Sequence, residues 1–337
     1  MYTIAVDCMG SDKGSVICVE SIKTFLKRHS DCKIVAYGKK EELVELENLG
    51  NVEIVDCSEV MSMTAGAIEA MRARNTSMYK AIVGVKDNGY DGIISAGGTA
   101  AFLTLATVKL KTIEGIDRAA LVTLLPNQDG KLFTVLDVGA NVETTSEQLV
   151  QFAQMGRIYS QKVLGVKEPK VYLLSNGAED EKGSPEVKGA NKLLREMNMP
   201  GFMGNIEGKE VVKGDQDVLV TGGYAGNIFL KTYEGVAKMM SNLIKRSFKK
   251  NLFTKIGYLF AKKGFDDLSA QMKNEKVGGA MLLGVNGVVV KSHGGSSTKD
   301  FTSAMEVIYQ IVKADALNQI KEGVKENAQI YGCIKKI

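Results

Sequence analysis

At 337 residues, with 45% hydrophobic and 24% charged side chains, the chain has the make-up of a globular protein with a sizeable core, which excludes a disordered or fibrous one. The net charge is only +4, nucleic acid is not an expected partner, and nowhere do about 18 apolar residues run together to span a bilayer. Cys8, Cys18, Cys32, Cys57 and Cys333 form no CxxC pair, and His29 and His293 lie far from any second ligand cluster, so no zinc site, disulfide framework, metal or cofactor is expected.

In chain order, MYTIAVDCMG reads as a first strand rather than a secretion signal. Asp7 arrives after six residues and no basic segment leads a long apolar run, which places the chain in a reduced cytoplasm. Short β-branched runs predict strands at 2–7, 33–37, 52–56, 92–95, 119–124 and 133–137, then 170–174, 218–221, 280–283 and 288–291. Helical-period stretches such as 147–163 separate most of them, so the pattern predicts a three-layer α/β/α fold with a largely parallel sheet. Four prolines and no repeat or Ser/Gly-rich linker argue for one continuous domain over 1–337.

The exception is a basic hairpin over 228–275. Phe229, Tyr233, Val236, Met240, Leu243 and Phe248 recur at helical spacing, and Leu252, Phe253, Ile256, Leu259 and Phe260 begin again after Asn251. Residues 235–265 carry eight bases and no acid. Packing on its own core or on a dimer mate is one reading; the other is a protruding tip touching an anionic membrane or an acidic partner through Lys249, Lys250, Leu252, Phe253, Lys255, Leu259, Phe260, Lys262 and Lys263.

Ligands in open α/β sheets sit at strand ends, and here those ends are rich in glycine: Asp7-Cys8-Met9-Gly10-Ser11-Asp12, Ser95-Ala96-Gly97-Gly98-Thr99, Asp137-Val138-Gly139-Ala140-Asn141, Thr221 to Asn227, and His293-Gly294-Gly295-Ser296-Ser297. Glycine admits backbone N–H groups close to an anion, and a helix starting at Thr99 or Asn227 would aim its N-terminus there. One such loop is a turn; several converging on one sheet edge predict an anion site. No Gly-x-Gly, complete P-loop or GxSxG elbow is present, which argues against a dinucleotide site, a Walker ATPase and a hydrolase triad.

The strings AVDCMGSD, SAGGTAAF, GIDRAALVTLLP, LDVGANVE, LVQFAQMG, FMGNIEG, GGYAGNIFLKTYEG and HGGSS follow one another in an order that resembles the PlsX family of phosphate acyltransferases, up to about Asp315. The resemblance implies a fold related to isocitrate dehydrogenases and phosphotransacetylases, a homodimer, and transfer of a long acyl chain from acyl carrier protein to inorganic phosphate. The acyl phosphate would pass to a membrane glycerol-3-phosphate acyltransferase in phospholipid synthesis, and the enzyme would associate peripherally with the membrane. Under it, N–H groups around Gly97, Gly98 and Thr99 hold phosphate, Lys182 neutralises it, and Ser95 or Thr99 adds hydroxyl donors. Asn227 and Lys231 line the same cleft, and His293 orients phosphate or donates to the oxyanion. Asp7, Gly10, Asp12, Asn141, Gly226 and Ser296 line the site, although acids at loop starts, Asp137 and Glu207 included, also cap helices or brace turns.

The chain departs from the family strings at Ser11, at Gly98-Thr99-Ala100 where relatives have Asn-Thr-Gly, in the loop holding Lys182, and at the extra Gly295. The rival readings are a short-chain phosphate acetyl- or butyryltransferase using coenzyme A, a nicotinamide-linked dehydrogenase of the isocitrate type, and a peripheral membrane scaffold without catalysis.

Overall fold

The computed structural model describes residues 1–273 and 278–331; Cys333 and the last two residues of the expected hairpin lie outside them. Its strands are β1 (Tyr2–Asp7), β2 (Cys32–Gly38), β3 (Val52–Asp56), β4 (Gly92–Ser95), β5 (Ala120–Pro126), β6 (Leu132–Leu136), β7 (Val171–Ser175), β8 (Phe202–Glu207), β9 (Val218–Val220), β10 (Ala280–Leu283) and β11 (Val288–Lys291). They form one 11-stranded sheet in the order β3-β2-β1-β4-β11-β10-β5-β6-β9-β7-β8.

Ten strands match the sequence expectation to within two residues at each end. β8 was not expected, because its alternation is broken. Val171 pairs with Phe202 but Tyr172 with Gly204, so Met203 bulges out half exposed, and Gly204 adopts φ +108°.

Alternation of side chains puts a core on each face. Ile4, Val6, Ile94 and Val290 pack under helices Val16–Leu26, Ser146–Lys162 and Thr298–Lys313. Ala5, Ile93 and Val289 pack under helices Ser77–Asp87 and Thr99–Leu110. Each fully buried Ile or Phe here contributes about 1.5–3 kcal/mol. Two of the three helices on the first face begin with a capping box, Thr145 with Gln148 and Ser297 with Asp300.

Seven of the ten described strand pairings are parallel, and the three antiparallel ones lie in the middle: β10 with β11, β10 with β5, and β5 with β6. The two parallel halves therefore run in opposite directions. Carboxyl ends of β1, β4 and β11 lie on one edge, which we term the leading edge; those of β6, β9 and β7 lie on the opposite, trailing edge.

The hairpin is built from helices Gly223–Phe248 and Leu252–Lys273. The first starts at Gly223, one turn before the expected Asn227, and leaves the trailing edge. By Tyr233 it has reached the leading edge, where the hydroxyl donates to Pro126 O at 2.6 Å. Its remaining 15 residues span about 22 Å. Asn251 caps the second helix, with Thr254 N–H donating to Asn251 Oδ1 at 2.9 Å, and Phe248, Tyr258 and Phe265 form an aromatic cluster between the two helices. The chain returns at Ala280, paired with Lys291, again on the leading edge.

At its trailing end the long helix rests on the loop after β6, where a Cβ on Gly226 would lie 1.9 Å from Asp137 O. Gly226→Ala is expected to lower stability by about 1–3 kcal/mol, read as a lower urea midpoint, because the helix must be pushed off that carbonyl.

Candidate functional site

Three neighbouring strands end in polar residues at the same level on the leading edge: Asp7 of β1, Ser95 of β4 and Lys291 of β11 are register partners in turn. Shared register puts them on one face of the sheet, the face covered by helices Ser77–Asp87 and Thr99–Leu110. Asp7 is buried, and its carboxylate accepts from Ser95 Oγ at 2.6 Å and Ser77 Oγ at 2.7 Å. Burial pushes its carboxyl above the ordinary value, against those two hydrogen bonds and the nearby Lys291 charge.

Ser95 Oγ also accepts from Gly97 N–H at 3.0 Å. The expectation that Ser95 offers its hydroxyl and Gly97 its N–H to phosphate is therefore corrected: both are committed to bracing Asp7 and the turn after β4. What remains open is the first turn of helix Thr99–Leu110, with Gly98 at its N-cap and Thr99 and Ala100 exposed. Their N–H groups have no partner inside the helix, and no acidic side chain stands in that turn. Gly98 is explained by space, since a Cβ there would lie 2.6 Å from Met63 O. Gly10 is held likewise, with a Cβ falling 2.6 Å from Gly97 N.

The loop after β11 closes the same corner. Asp12 N–H donates to Gly294 O at 3.0 Å, Ser11 Oγ reaches the same carbonyl at 3.4 Å, and Lys13 Nζ donates to Ser296 O at 3.2 Å. The hydroxyl of buried Ser296 pairs with that of Ser292 at 3.0 Å, which gives Ser296 a bracing place. His293 is exposed, and its Nδ1 accepts from Gly295 N–H at 3.0 Å. In the neutral ring the proton then sits on Nε2, and the extra Gly295 sets that tautomer.

The other expected site residues, Lys231 apart, lie on the trailing edge, so the single cleft expected from sequence divides in two. Asp137 braces the loop after β6 by accepting from the N–H groups of Leu121, Gly139, Ala140 and Asn141. Asn141 Nδ2 donates to Ala119 O and to Asp137, so its amide is committed. Half-buried Asn227 lies on the long helix one turn from its start, with Gly226 packed against Asp137, whereas exposed Lys231, two residues before Tyr233, has been carried across the sheet toward the leading edge. Exposed Lys182 lies in the loop after β7, and its carbonyl accepts from Asn205 Nδ2 at 3.3 Å. The physical reason is the three successive antiparallel pairings from β11 through β10 and β5 to β6, an odd number that sends carboxyl ends of the second half to the far edge. Lys182 is thus not beside Gly98 within the chain.

Sequence reasoning missed Lys291, Ser77 and Ser292. Lys291 is 8% exposed and its Nζ donates to Ser292 O. Burial pushes its ammonium down to about 8, while the Asp7 and Asp12 charges act the other way. The available signal was a lysine closing the apolar run Val288-Val289-Val290, with the same outlook as Ser95 and Asp7.

Ser77→Ala is expected to cost about 1–3 kcal/mol at pH 8, because buried Asp7 loses a donor. Losing that donor raises the Asp7 pKa further. The deficit therefore grows as pH rises through that raised pKa and shrinks as pH is lowered toward 4. Urea denaturation at both pH values checks this.

Comparison with known proteins gives the family. Residues 2–319 match the family model described as "Fatty acid synthesis protein". A phosphate acyltransferase of Aliarcobacter butzleri is 40% identical over 321 residues, covering 94% of this chain and 95% of that protein. One from Campylobacter concisus is 40% identical over 316 residues, with coverages of 93% and 94%. Among solved structures, a Streptococcus pyogenes phosphotransacetylase superposes with TM-score 0.59 at 18% identity, covering 94% of each chain, which bears out the expected fold. Full-length likeness at this level shows that the chain belongs to the PlsX family of phosphate acyltransferases.

Proposed function

We propose that the protein transfers a long fatty acyl group from acyl carrier protein to inorganic phosphate, and that the chemistry takes place at the leading edge. The near full-length likeness to phosphate acyltransferases is the observation that carries the reaction. Support for the place comes from a glycine-opened helix N-terminus beside a histidine whose Nε2–H faces outward.

Phosphate is already anionic near neutral pH, so it needs orientation and charge balance more than a strong base. N–H groups of Gly98, Thr99 and Ala100 hold it. One phosphate oxygen attacks the thioester carbonyl carbon, Nε2–H of His293 donates to the oxyanion, and collapse breaks the C–S bond. The departing thiolate, with an ordinary pKa of about 8.5, needs little acid help. Asp7 and Asp12 shape this corner rather than touch the acyl group, and Asp7 does so from within the sheet.

The hairpin stands on the same edge. Phe253 and Phe260 are 86% and 87% exposed, amid exposed Lys249, Lys250, Lys255, Lys262 and Lys263, a surface suited to an acidic carrier and an anionic bilayer. Leu252 opens the second helix, and exposed Leu259 shares the patch. Among the described residues no helix is long and apolar enough to cross a membrane. Exposed Val236, Met239, Met240 and Leu243 on the first helix suit the cover of a second copy in a homodimer. The acyl phosphate product, apolar and reactive, would be handed to a membrane glycerol-3-phosphate acyltransferase.

The deciding assay is release of carrier thiol from palmitoyl-acyl carrier protein with and without phosphate, followed by hydroxylamine trapping. Phosphate-dependent release with a trapped product is expected; release from acetyl- or butyryl-coenzyme A alone would transfer the reading to the short-chain rival. His293→Ala should lower kcat about 10- to 100-fold, and unchanged turnover would remove the ring from the mechanism. Changing Phe253, Leu259 and Phe260 to serine should abolish flotation with vesicles containing phosphatidylglycerol while leaving turnover on soluble acyl carrier protein within about threefold. Retained flotation would place the contact elsewhere.

A further inference from the structure

We propose that Lys291 is the cation of the phosphate cradle: fixed at the end of β11, in one row with Ser95 and Asp7, its ammonium pairs with bound phosphate and sets its affinity. The inference deepens the acyltransferase reading and rests on it for the identity of the anion.

Position comes first. Helix Thr99–Leu110 follows β4 and packs over β11, so its open N-terminus and the end of β11 meet at one corner. Ser292 N–H donates to Ser95 O at 2.9 Å, which ties the strand bearing the lysine to the strand that feeds the helix. The Lys291 ammonium donates to Ser292 O and feels the charges of Asp7 and Asp12, at the corner where that helix begins. Lys182, the cation expected from sequence, lies on the far edge.

Charge balance comes second. Asp7 on β1 and Asp12 in the loop after it face the ammonium. Ser95 on β4 and Ser77 on the helix Ser77–Asp87 are uncharged, and Ala280 on β10 is apolar. The first turn of helix Thr99–Leu110 contributes no acid. The loop after β11 adds His293, and Lys13 reaches that loop at Ser296 O. Two carboxylates, one of them buried and disposed to take up a proton, leave the burial of the lysine incompletely offset, since its pKa falls to about 8. A phosphate dianion at the helix N-terminus supplies the missing negative charge, so binding and protonation of Lys291 reinforce one another.

The sign follows. Phosphate is a dianion throughout the range above pH 8, so its own ionisation adds no further change there, whereas free Lys291 loses its proton. Affinity for phosphate therefore falls as pH rises past about 8.

The test measures the KM for phosphate between pH 7 and 9.5 in wild type, Lys291→Met and Lys291→Arg, alongside the shift in Tm given by inorganic phosphate alone. In wild type KM should rise about tenfold over that range. Lys291→Met should show KM raised about tenfold at pH 7, no further rise to pH 9.5, and an acyl-donor KM within about twofold. Lys291→Arg, which does not titrate there, should keep tighter binding at pH 9.5 than Lys291→Met. A wild-type KM flat from pH 7 to 9.5 overturns the proposal even if Lys291→Met fails to fold. An unchanged phosphate KM in a folded Lys291→Met overturns it as well, and leaves the lysine as a brace for Asp7. If palmitoyl-acyl carrier protein is not a substrate, the acyl-transfer reading falls. A phosphate-dependent Tm shift that fades above pH 8 and is absent in Lys291→Met would then still uphold the cation.

Discussion

Antiparallel pairing of β10 with both β11 and β5 governs the layout of the molecule. Together with the antiparallel pairing of β5 with β6, which makes the number of reversals odd, it joins two parallel half-sheets into one continuous surface and makes them run in opposite directions. Every loop then inherits an edge from its strand. Glycine loops that look equivalent along the sequence are sorted into two groups, one around Asp7, Gly98 and His293, the other around Asp137, Asn227 and Lys182. The hairpin obeys the same rule: it starts on one edge, crosses to the other along the sheet, and re-enters there because β10 must begin beside Lys291.

Strand and helix identity was legible because β-branched runs and helical spacing are local, and apolar Val288-Val289-Val290 or the cap at Asn251 needs no distant partner. Phe202–Glu207 escaped because a bulge at Met203 and a left-handed Gly204 destroy the alternation that marks a strand. Strand direction was not legible at all, since it depends on which residues pair across more than a hundred positions of sequence. That is why Lys182 and Gly98 read as neighbours and are not. Glycine content marked the turns at the strand ends, but hydrogen-bond commitment, as in Ser95 with Asp7 and Gly97, appears only once the partners are placed.

The leading-edge corner has a graded electrostatic design. Hydroxyl donors from Ser77 and Ser95 sustain one buried carboxylate, and the ammonium of Lys291 lies in the same row. Backbone N–H groups of exposed Thr99 and Ala100, in the first turn after Gly98, have no partner inside the helix. The departures from the usual family strings fit this frame. Ser11 ties the loop after β1 to Gly294, Gly98 yields its side-chain space to Met63 O, and Gly295 turns the His293 ring.

The insertion of β10 and β11 between β4 and β5 also sets a timetable for synthesis. Residues 280–291 are the last to enter the sheet, yet they occupy its middle. A nascent chain can pair β1 to β4 and β5 to β9 as two separate rafts, each with an unsatisfied inner edge, and must hold them apart until the final sixth of the polypeptide leaves the ribosome. The leading-edge corner, which draws on β11 and its loop, comes into being only at that closing step. A truncated product would carry two half-sheets without the strands that join them, so a chain cut short in translation is exposed along the strands most prone to pair with a neighbour.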